Sequence, residues 1–478
     1  MGKQLAILGL LLIGQLTVFG QQEFGVPEHM QKRVVPQFSY LGNPQQFAVP
    51  DSMNREGSWF KRKLIHEHFV SVEDSALFLF VDPMLDLTAG NSSVANNQFL
   101  INGRGVRAGV VIADKLEATA HLMENQASNL PEQWYLHPEK ETVIYGLGRS
   151  KINDDTTSFD YAWATGTVHV KLKPWWQSTL AYGRLHVGAG YRNLLVSNQT
   201  VPFPYVKNLW TYKNWTYAHV LAKWNTLERA AATINIEAPF LTTQVRFDEF
   251  SYRISDWKIS CLSGVAWKQT EPLEQLSQWV KNLPLMAAHH FVNDTSLNFF
   301  GMDVQYAFRK SMAYSQVLLN SRHGLKRLAI QVGLKGNWYW KKMAIQARAE
   351  YNYIPNQFYS GNSMSWSHQG YFAGYAAGSG NELMFDLSVN YKRFQAGLTP
   401  MLNPSSKALS VLNYMRGTIS YIVNSKNGLM VFASASRWKN TYAAQQRLLF
   451  VIEENQNKPI DIINIGIRTS VFPMFQDY

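Results

Sequence analysis

Residues Ile345–Tyr353 read IQARAEYNY, and this short run carries the main clue to the architecture of the chain. Small, apolar or aromatic residues alternate with polar ones, which stand at Gln346, Arg348, Glu350 and Asn352. Successive side chains of a β-strand point to opposite faces. The run therefore predicts a strand with one apolar and one polar face.

The same period of two recurs from about residue 76 onward, at 116–122, 167–173, 383–392 and 463–472. Alternation alone also fits a soluble β-sandwich. Many of these runs are nine residues or longer, which suits a tilted membrane strand of about 9–11 residues. Trp and Tyr gather near the predicted strand ends, as in interfacial aromatic girdles, at 175–176, 210–217 and 338–340.

The composition favours a membrane barrel over a soluble domain. Charged residues make up 17% of the chain, against roughly 25% in soluble domains. After the first twenty residues there is no run near the roughly 18 apolar residues that a membrane helix requires. We therefore predict an all-β fold, a large transmembrane antiparallel β-barrel of about 16–18 strands at roughly 25 residues per strand.

The amino terminus has the features of a bacterial export signal. Lys3 provides a positive start, Leu5–Leu16 is largely apolar, and Val18 and Gly20 occupy the positions that a signal peptidase reads. We predict that residues 1–20 are a signal peptide cleaved after Gly20. An exported barrel of this kind is expected in the bacterial outer membrane.

Two further segments depart from the alternating pattern. Residues 21–75 contain several prolines and little periodicity, which predicts a periplasmic or lumen-filling plug segment ahead of a barrel at 76–478. Pro272–Leu283 places apolar residues at helical spacing after a proline, which predicts a short loop helix.

The net charge of +11 indicates an anionic partner. The basic residues stand singly and form no dense Lys/Arg run, which argues against nucleic acid. Outer-membrane lipid, the phosphates of lipopolysaccharide, or an acidic surface polysaccharide fit this pattern better. The single cysteine, Cys261, cannot form an internal disulfide, and we interpret it as a small strand residue.

The chain contains no recognisable catalytic motif. There is neither a Gly-x-Ser-x-Gly elbow nor a His-Glu-x-x-His zinc motif. His66-Glu67-His68 has the nearest metal-like spacing, but no carboxylate or cysteine cluster accompanies it. We predict no catalytic residues, no cofactor and no metal.

The densest polar and aromatic stretch is Tyr182–Asn193. If this stretch is extended, Arg184 and His186 share a face, and Tyr191 and Arg192 follow a glycine-rich bend. Aromatic rings that stack on sugars and arginines that bridge acidic groups suit a polysaccharide. The same residues equally fit an internal network of ion pairs that braces a barrel.

Several short motifs, taken in order, resemble the Wzi-type capsule-assembly family of outer-membrane proteins, and most closely its RemB-type gliding motility branch in Bacteroidota. The resemblance covers about residues 60 to 400 and implies a plugged barrel that serves surface polysaccharide or gliding without catalysis. The motifs are 82–87, 102–105, 124–126, 146–149, 159–162, 183–197, 331–335 and 349–353. Arg149, in the fourth motif, joins Arg184, His186, Tyr191 and Arg192 as a candidate polysaccharide-binding residue.

Three functions are compatible with these observations. The first is a non-enzymatic barrel for polysaccharide (capsule) attachment or assembly, or for gliding motility and adhesion. The second is an outer-membrane porin or substrate-specific channel, and the third is a barrel hydrolase. A porin conducts ions in a planar bilayer and a plugged barrel does not, whereas a hydrolase loses activity when one catalytic residue is replaced.

Overall fold

The chain folds into a closed antiparallel β-barrel of eighteen strands, which confirms the predicted fold class. Each barrel strand pairs with the next one along the chain, and the last pairs with the first through Asp86–Ser92 and Ile462–Arg468. This computed structural model describes residues 58–469 apart from 94–96, 114, 132–133, 137–141, 145, 153–156, 199, 230–239, 269–295, 322–326, 342, 361–364, 375–379, 403–411, 425 and 439–458.

The barrel strands have at least nine residues each, enough to cross a bilayer at a tilt, apart from β9, which has eight. They are β2 (Leu77–Ser92), β3 (Asn97–Ile112), β4 (Leu116–Ser128), β8 (Ser158–Lys173), β9 (Trp176–Gly183), β10 (Phe203–Tyr212), β11 (Trp215–Arg229), β12 (Phe240–Ile254), β13 (Trp257–Lys268), β14 (Ser296–Phe308), β15 (Ser311–Asn320), β16 (Leu328–Trp340), β17 (Met343–Ile354), β20 (Gly380–Tyr391), β21 (Phe394–Leu402), β22 (Leu412–Asn424), β23 (Leu429–Trp438) and β24 (Ile460–Thr469).

The remaining elements are short and do not belong to the eighteen barrel strands. β1 folds back onto the start of β2, β5 to β7 extend the sheet beside β8, and β18 and β19 form a small separate hairpin. These elements are α1 (Trp59–Ile65), β1 (Val70–Asp74), β5 (Tyr135–Leu136), β6 (Thr142–Ile144), β7 (Gly148–Ile152), β18 (Ser367–His368) and β19 (Tyr371–Phe372).

The barrel wall is apolar outside, and its inner face carries many buried polar and charged side chains beside the apolar ones that pack on the lumen segments. In β24, Ile463 and Ile465 are 64% and 62% exposed on the outer face, while Asn464 between them is buried. In β4, Glu117 and His121 are likewise buried, and the intervening apolar residues face outward. An exposed apolar face over buried charged side chains is typical of a barrel surrounded by lipid.

The two ends of the barrel differ. At the short-turn end, hairpins such as β10–β11 and β14–β15 close in two residues, and the turn between β22 and β23 contains Asn427-Gly428. At the long-loop end the connections are longer, and β9 is joined to β10 by residues 184–202. In bacterial outer-membrane barrels short turns face the periplasm and long loops face outward.

Exposed aromatic residues collect at the short-turn end. Trp215 lies 4.2 Å from Tyr252 between ring centroids, and Trp257 lies 4.4 Å from Tyr306. Tyr212 is 68% exposed beside this group. These residues form the interfacial girdle that the sequence predicted, because amphipathic rings are favoured at the level of the lipid headgroups.

Part of the N-terminal segment 21–75, which the sequence predicted to be periplasmic or lumen-filling, lies within the described residues as α1 and β1. The side-chain amide of Asn424 donates to the carbonyls of Lys63 and Glu67 at 3.1 and 3.0 Å, which anchors the end of α1 to β22. The predicted signal peptide, most of residues 21–75 and the predicted helix Pro272–Leu283 fall outside the described residues. No helix in the described part of the chain is long and apolar enough to cross a membrane.

Candidate functional site in the barrel lumen

Residues 184–202, which we call the plug segment, fold into the barrel lumen after β9 ends at Gly183. The described residues of this segment form no strand, so Arg184 and His186 do not share a strand face as the sequence suggested. The apolar side chains of the segment are fully buried at Leu185, Val187, Leu194, Leu195 and Val196. A second segment, residues 355–360 and 365–374, packs against them, and we call it the inner loop.

An aromatic cluster joins the plug segment to the barrel wall. The ring of Trp366, in the inner loop, lies 5.0 Å from that of Trp224 and 4.8 Å from that of Phe299. Its indole N–H donates to the carbonyl of Leu195 at 2.8 Å. Large buried rings with a satisfied polar edge stabilise the plug segment against the wall.

A glutamine on the inner wall holds the plug segment at two points. The side-chain oxygen of Gln316, on β15, accepts a hydrogen bond from the backbone N–H of Leu194 at 2.7 Å. Its amide nitrogen donates to the carbonyl of Val187 at 3.1 Å. Both polar ends of one buried amide are thus satisfied by backbone that has no strand partner.

A buried carboxylate on β17 receives the tip of the plug segment. One oxygen of Glu350 accepts hydrogen bonds from the backbone N–H of Tyr191 at 2.7 Å and from the hydroxyl of Tyr314 at 2.8 Å. The other accepts from the backbone N–H of Arg192 at 3.2 Å and from the amide of Asn352 at 2.9 Å. Four donors around one carboxylate satisfy its buried oxygens, and ionised acceptors make strong hydrogen bonds.

The glycine-rich bend of the plug segment permits this close approach. A Cβ added at Gly190 would lie 2.3 Å from the carbonyl oxygen of Arg192 and 2.7 Å from Glu350. Gly188 has a φ of +125°, a region that other residues rarely adopt. Glycine at both positions is therefore a requirement of the folded plug.

Charged side chains of the lumen complete the attachment. Arg192 Nε lies 2.9 Å from a carboxylate oxygen of Glu382 on β20, and both side chains are largely buried. Lys335 Nζ donates to the carbonyl of Ala189 at 3.1 Å, and the guanidinium of Arg348 lies 5.8 Å from the ring centroid of Tyr191. Removing one partner of a buried ion pair such as Arg192–Glu382 leaves an uncompensated buried charge, which is strongly destabilising.

Two histidines of the lumen are held neutral. Burial lowers the pKa of His186 to about 3, and the nearby positive charges of Arg348 and Lys335 add to the effect. Burial also lowers the pKa of His368, in the inner loop, to about 4. Both imidazoles disfavour protonation because a buried cation loses its hydration.

Ion pairs also line another part of the lumen. Lys258 Nζ lies 2.6 Å from a carboxylate oxygen of Glu249, and Arg246 Nε lies 3.0 Å from one of Asp248. All four residues are buried. Lys258–Glu249 joins β13 to β12, whereas Arg246 and Asp248 lie two residues apart on β12.

The five sequence-predicted residues do not form one exposed site. His186, Tyr191 and Arg192 lie in the packed plug segment, and Arg184 is buried with its guanidinium donating to the carbonyl of Gly146. Arg149 differs, because it is exposed on β7 with its guanidinium carbon 3.9 Å from the ring centroid of Phe240.

The predicted metal-like spacing at 66–68 is used for packing. His68 Nδ1 lies 2.7 Å from Asp82 on β2, and its ring stacks on Phe80 at 4.4 Å between centroids. Within the described ranges, no group of three or more His, Cys, Asp or Glu residues is arranged to hold a metal ion.

Sequence reasoning did not single out the wall residues that hold the plug segment. Gln316, Glu350 and Glu382 stand at inward positions of their strands. For Glu350 the signal was present, because the alternation of Ile345–Tyr353 already placed it on the polar face. Its partner, the backbone N–H of Arg192, lies 158 residues earlier in the chain, and no local sequence pattern predicts this contact.

An eighteen-stranded wall with an apolar outside and a folded segment in its lumen defines the outer-membrane class of β-barrel. No protein-family model matches the chain, and no curated protein matches it in sequence. The known similarity is therefore in the fold.

Among solved structures, the chain is similar to Wzi, an outer-membrane protein involved in group 1 capsule assembly in Escherichia coli and described as a carbohydrate-binding β-barrel. The TM-score is 0.50 at 13% identity, covering 81% of this chain and 84% of that one. The chain thus has a Wzi-like barrel fold. OccK7 (OpdD) of Pseudomonas aeruginosa gives a TM-score of 0.42 at 10% identity over 83% of this chain and 99% of that one. OccAB2 of Acinetobacter baumannii gives 0.42 at 9% over 82% and 97%.

Proposed function

We propose that the protein is a non-enzymatic, lumen-filled outer-membrane barrel that helps to attach or assemble surface polysaccharide, either in a capsule or in gliding and adhesion. The observation that supports this is the plug segment, which the wall residues Gln316, Glu350 and Glu382 hold inside the barrel. A passive channel needs an open lumen, and a barrel filled in this way is better suited to binding at its outer end.

The long-loop end offers a place for an acidic sugar. There the exposed Arg149 stacks its guanidinium on the ring of Phe240. A planar cation supported by a ring can pair with a carboxylate and present a flat surface to a sugar. We propose direct contact at Arg149, and a supporting role for Arg184, His186, Tyr191 and Arg192, which shape the lumen beneath it.

The resemblance of the motifs to the Wzi-type family and its RemB-type branch is consistent with this role. Wzi itself is a carbohydrate-binding barrel by its description. We thus propose a surface polysaccharide as the ligand, and the alternative functions are those of a porin and of a barrel hydrolase.

The test is retention of purified surface polysaccharide by the detergent-extracted protein, with conductance measured in parallel. We expect the protein to retain the polysaccharide, and Arg149→Ala to weaken retention about ten-fold, as for the loss of a charged hydrogen bond. Arg327→Ala, at the same end of the barrel, is the matched control and should retain it fully. Failure of the wild-type protein to retain polysaccharide, combined with large steady conductance, would favour the porin. Cleavage of the polysaccharide would favour the hydrolase.

A further inference from the structure

Basic residues form an arc on the short-turn rim of the barrel. The arc occupies three consecutive hairpins, β14–β15, β16–β17 and β20–β21, which are neighbours because β15 pairs with β16 and β17 pairs with β20. Its described members are Arg309, Lys310, Lys341, Lys392 and Arg393. On one side the β12–β13 turn carries Ser255 and Asp256 instead, which bounds the arc there.

The backbone of these turns is unusual for the residues that it carries. Arg309 and Lys341 have φ values of +52°, and Lys392 has +51°. Two-residue hairpin turns favour Asn, Asp or Gly in this left-handed region. The same φ occurs at Ser255 in the neighbouring β12–β13 turn, so the turn geometry does not itself require a basic residue. Basic residues at this position in three neighbouring hairpins therefore point to a role for the side chains.

The ammonium groups lie beside the aromatic girdle. Lys341 Nζ lies 5.9 Å from the ring centroid of Trp340, and Lys392 Nζ lies 5.5 Å from that of Tyr391. The same distance from Lys310 to the ring of Tyr339, on the neighbouring hairpin, is 5.8 Å. The three rings are 43–64% exposed on the outer surface.

This placement sets the depth of the charges in the membrane. Interfacial Trp and Tyr rings sit at the level of the lipid headgroups. Basic groups within 6 Å of such rings therefore lie at the depth of the lipid phosphates. Basic side chains at this level attract anionic lipid. A site for a polymer outside the bilayer would instead place its charges further from the membrane than the aromatic girdle.

We propose that the arc is a binding site for the headgroups of anionic phospholipids in the leaflet at the short-turn end, which in an outer-membrane barrel is the periplasmic leaflet. The arc enriches these lipids along one sector of the barrel. The site is independent of polysaccharide binding at the opposite end.

The test compares the lipid shell of two variants of the full protein in phosphatidylcholine bilayers. In the first variant, Arg309→Asn, Lys341→Asn and Lys392→Asn remove three charges and introduce a residue that tolerates the turn. In the control, Lys151→Gln, Lys223→Gln and Arg327→Gln remove three charges away from the short-turn rim. Electron spin resonance of spin-labelled phosphatidylglycerol and phosphatidylcholine gives the relative association of each lipid with the barrel.

For the wild type and the control we expect association of phosphatidylglycerol to exceed that of phosphatidylcholine by about three-fold or more at low salt. For the arc variant we expect a ratio near one, with a melting temperature in neutral detergent that is unchanged or higher, because asparagine suits the turn. An unchanged ratio in the arc variant would overturn the proposal, as would an equal loss in the control. Loss of binding to isolated peptidoglycan with an unchanged lipid ratio would also overturn it and assign the arc to that polymer.

Discussion

Glu350 accepts a hydrogen bond from the backbone N–H of Tyr191 at 2.7 Å, across 159 residues of sequence. The contact joins a barrel strand to the tip of the plug segment. A second hydrogen bond follows at the next residue, where the other carboxylate oxygen of Glu350 accepts the backbone N–H of Arg192. A single inward side chain thus fixes the bend that fills the lumen, and its replacement is the most informative single change.

We expect Glu350→Gln to loosen the plug segment while leaving the barrel closed. The amide nitrogen cannot accept the hydrogen bonds that one carboxylate oxygen now accepts, and such a loss costs about 1–3 kcal/mol per buried group. Brief channel openings should appear in planar bilayers. Glu228→Gln, an exposed change at the long-loop end, is the control and should stay silent. Equal behaviour of the two variants would contradict the assigned role of Glu350.

Gly190→Ala should displace the tip of the plug segment. The added Cβ would meet the carbonyl oxygen of Arg192 at 2.3 Å and the side chain of Gln331 at 2.6 Å, and the backbone carbonyl cannot easily move. We expect new protease cleavage within residues 184–202 and a lower melting temperature of the native form. Gly417→Ala is the matched control, because a Cβ there meets nothing within 4 Å. If both variants resist protease as the wild type does, the tight packing is wrong.

Acid should weaken the plug segment through its histidines. The pKa values of about 3 for His186 and about 4 for His368 lie below the ordinary value near 6.5. The folded state therefore binds fewer protons than the unfolded one, and the stabilisation is present above pH 6.5 and is lost as the pH falls from about 6.5 towards 3–4. We expect more frequent openings at pH 4.5 than at pH 7.5. The double variant His186→Gln, His368→Gln should reduce this pH dependence, and a profile identical to that of wild type would contradict the prediction.

The outward face of β24 tests the assignment of the wall to lipid. Ile465 is 62% exposed and lies near the middle of its strand. Ile465→Arg should make folding into a bilayer less favourable by about 2–4 kcal/mol, whereas Ile465→Leu should have little effect. Denaturant titration in lipid vesicles measures both variants. An arginine variant as stable as the leucine one would place this face away from lipid.

The sequence predicted the strands of the barrel wall much better than it predicted the segments that fill the lumen. In Ile345–Tyr353 the alternation placed Arg348, Glu350 and Asn352 on one face, and the structure buries Glu350 and Asn352 inside the barrel. Alternation is a local property of the sequence, and in each strand it assigns every side chain to one of the two faces. The number of alternating runs is also why a barrel of about 16–18 strands could be expected before the strand pairing was known.

The plug segment was only half predicted. Its polar and aromatic residues attracted notice, and an internal bracing network was one of the two interpretations. The structure shows such bracing for Arg192, through Glu382, and for the backbone of Tyr191. The chain leaves its strand at Gly183, however, and the Gly188 and Gly190 bend is directed by partners more than 120 residues away, which no local pattern encodes.

The central claim is that the plug segment fills the lumen, and single-channel conductance in a planar bilayer tests it most directly. The wild-type protein should be electrically silent, and a variant in which a short Gly-Ser linker replaces residues 185–201 should conduct steadily. Heat-modified mobility on a gel would show that both variants are folded barrels. Large steady conductance from the wild type, or silence from the folded linker variant, would contradict the account.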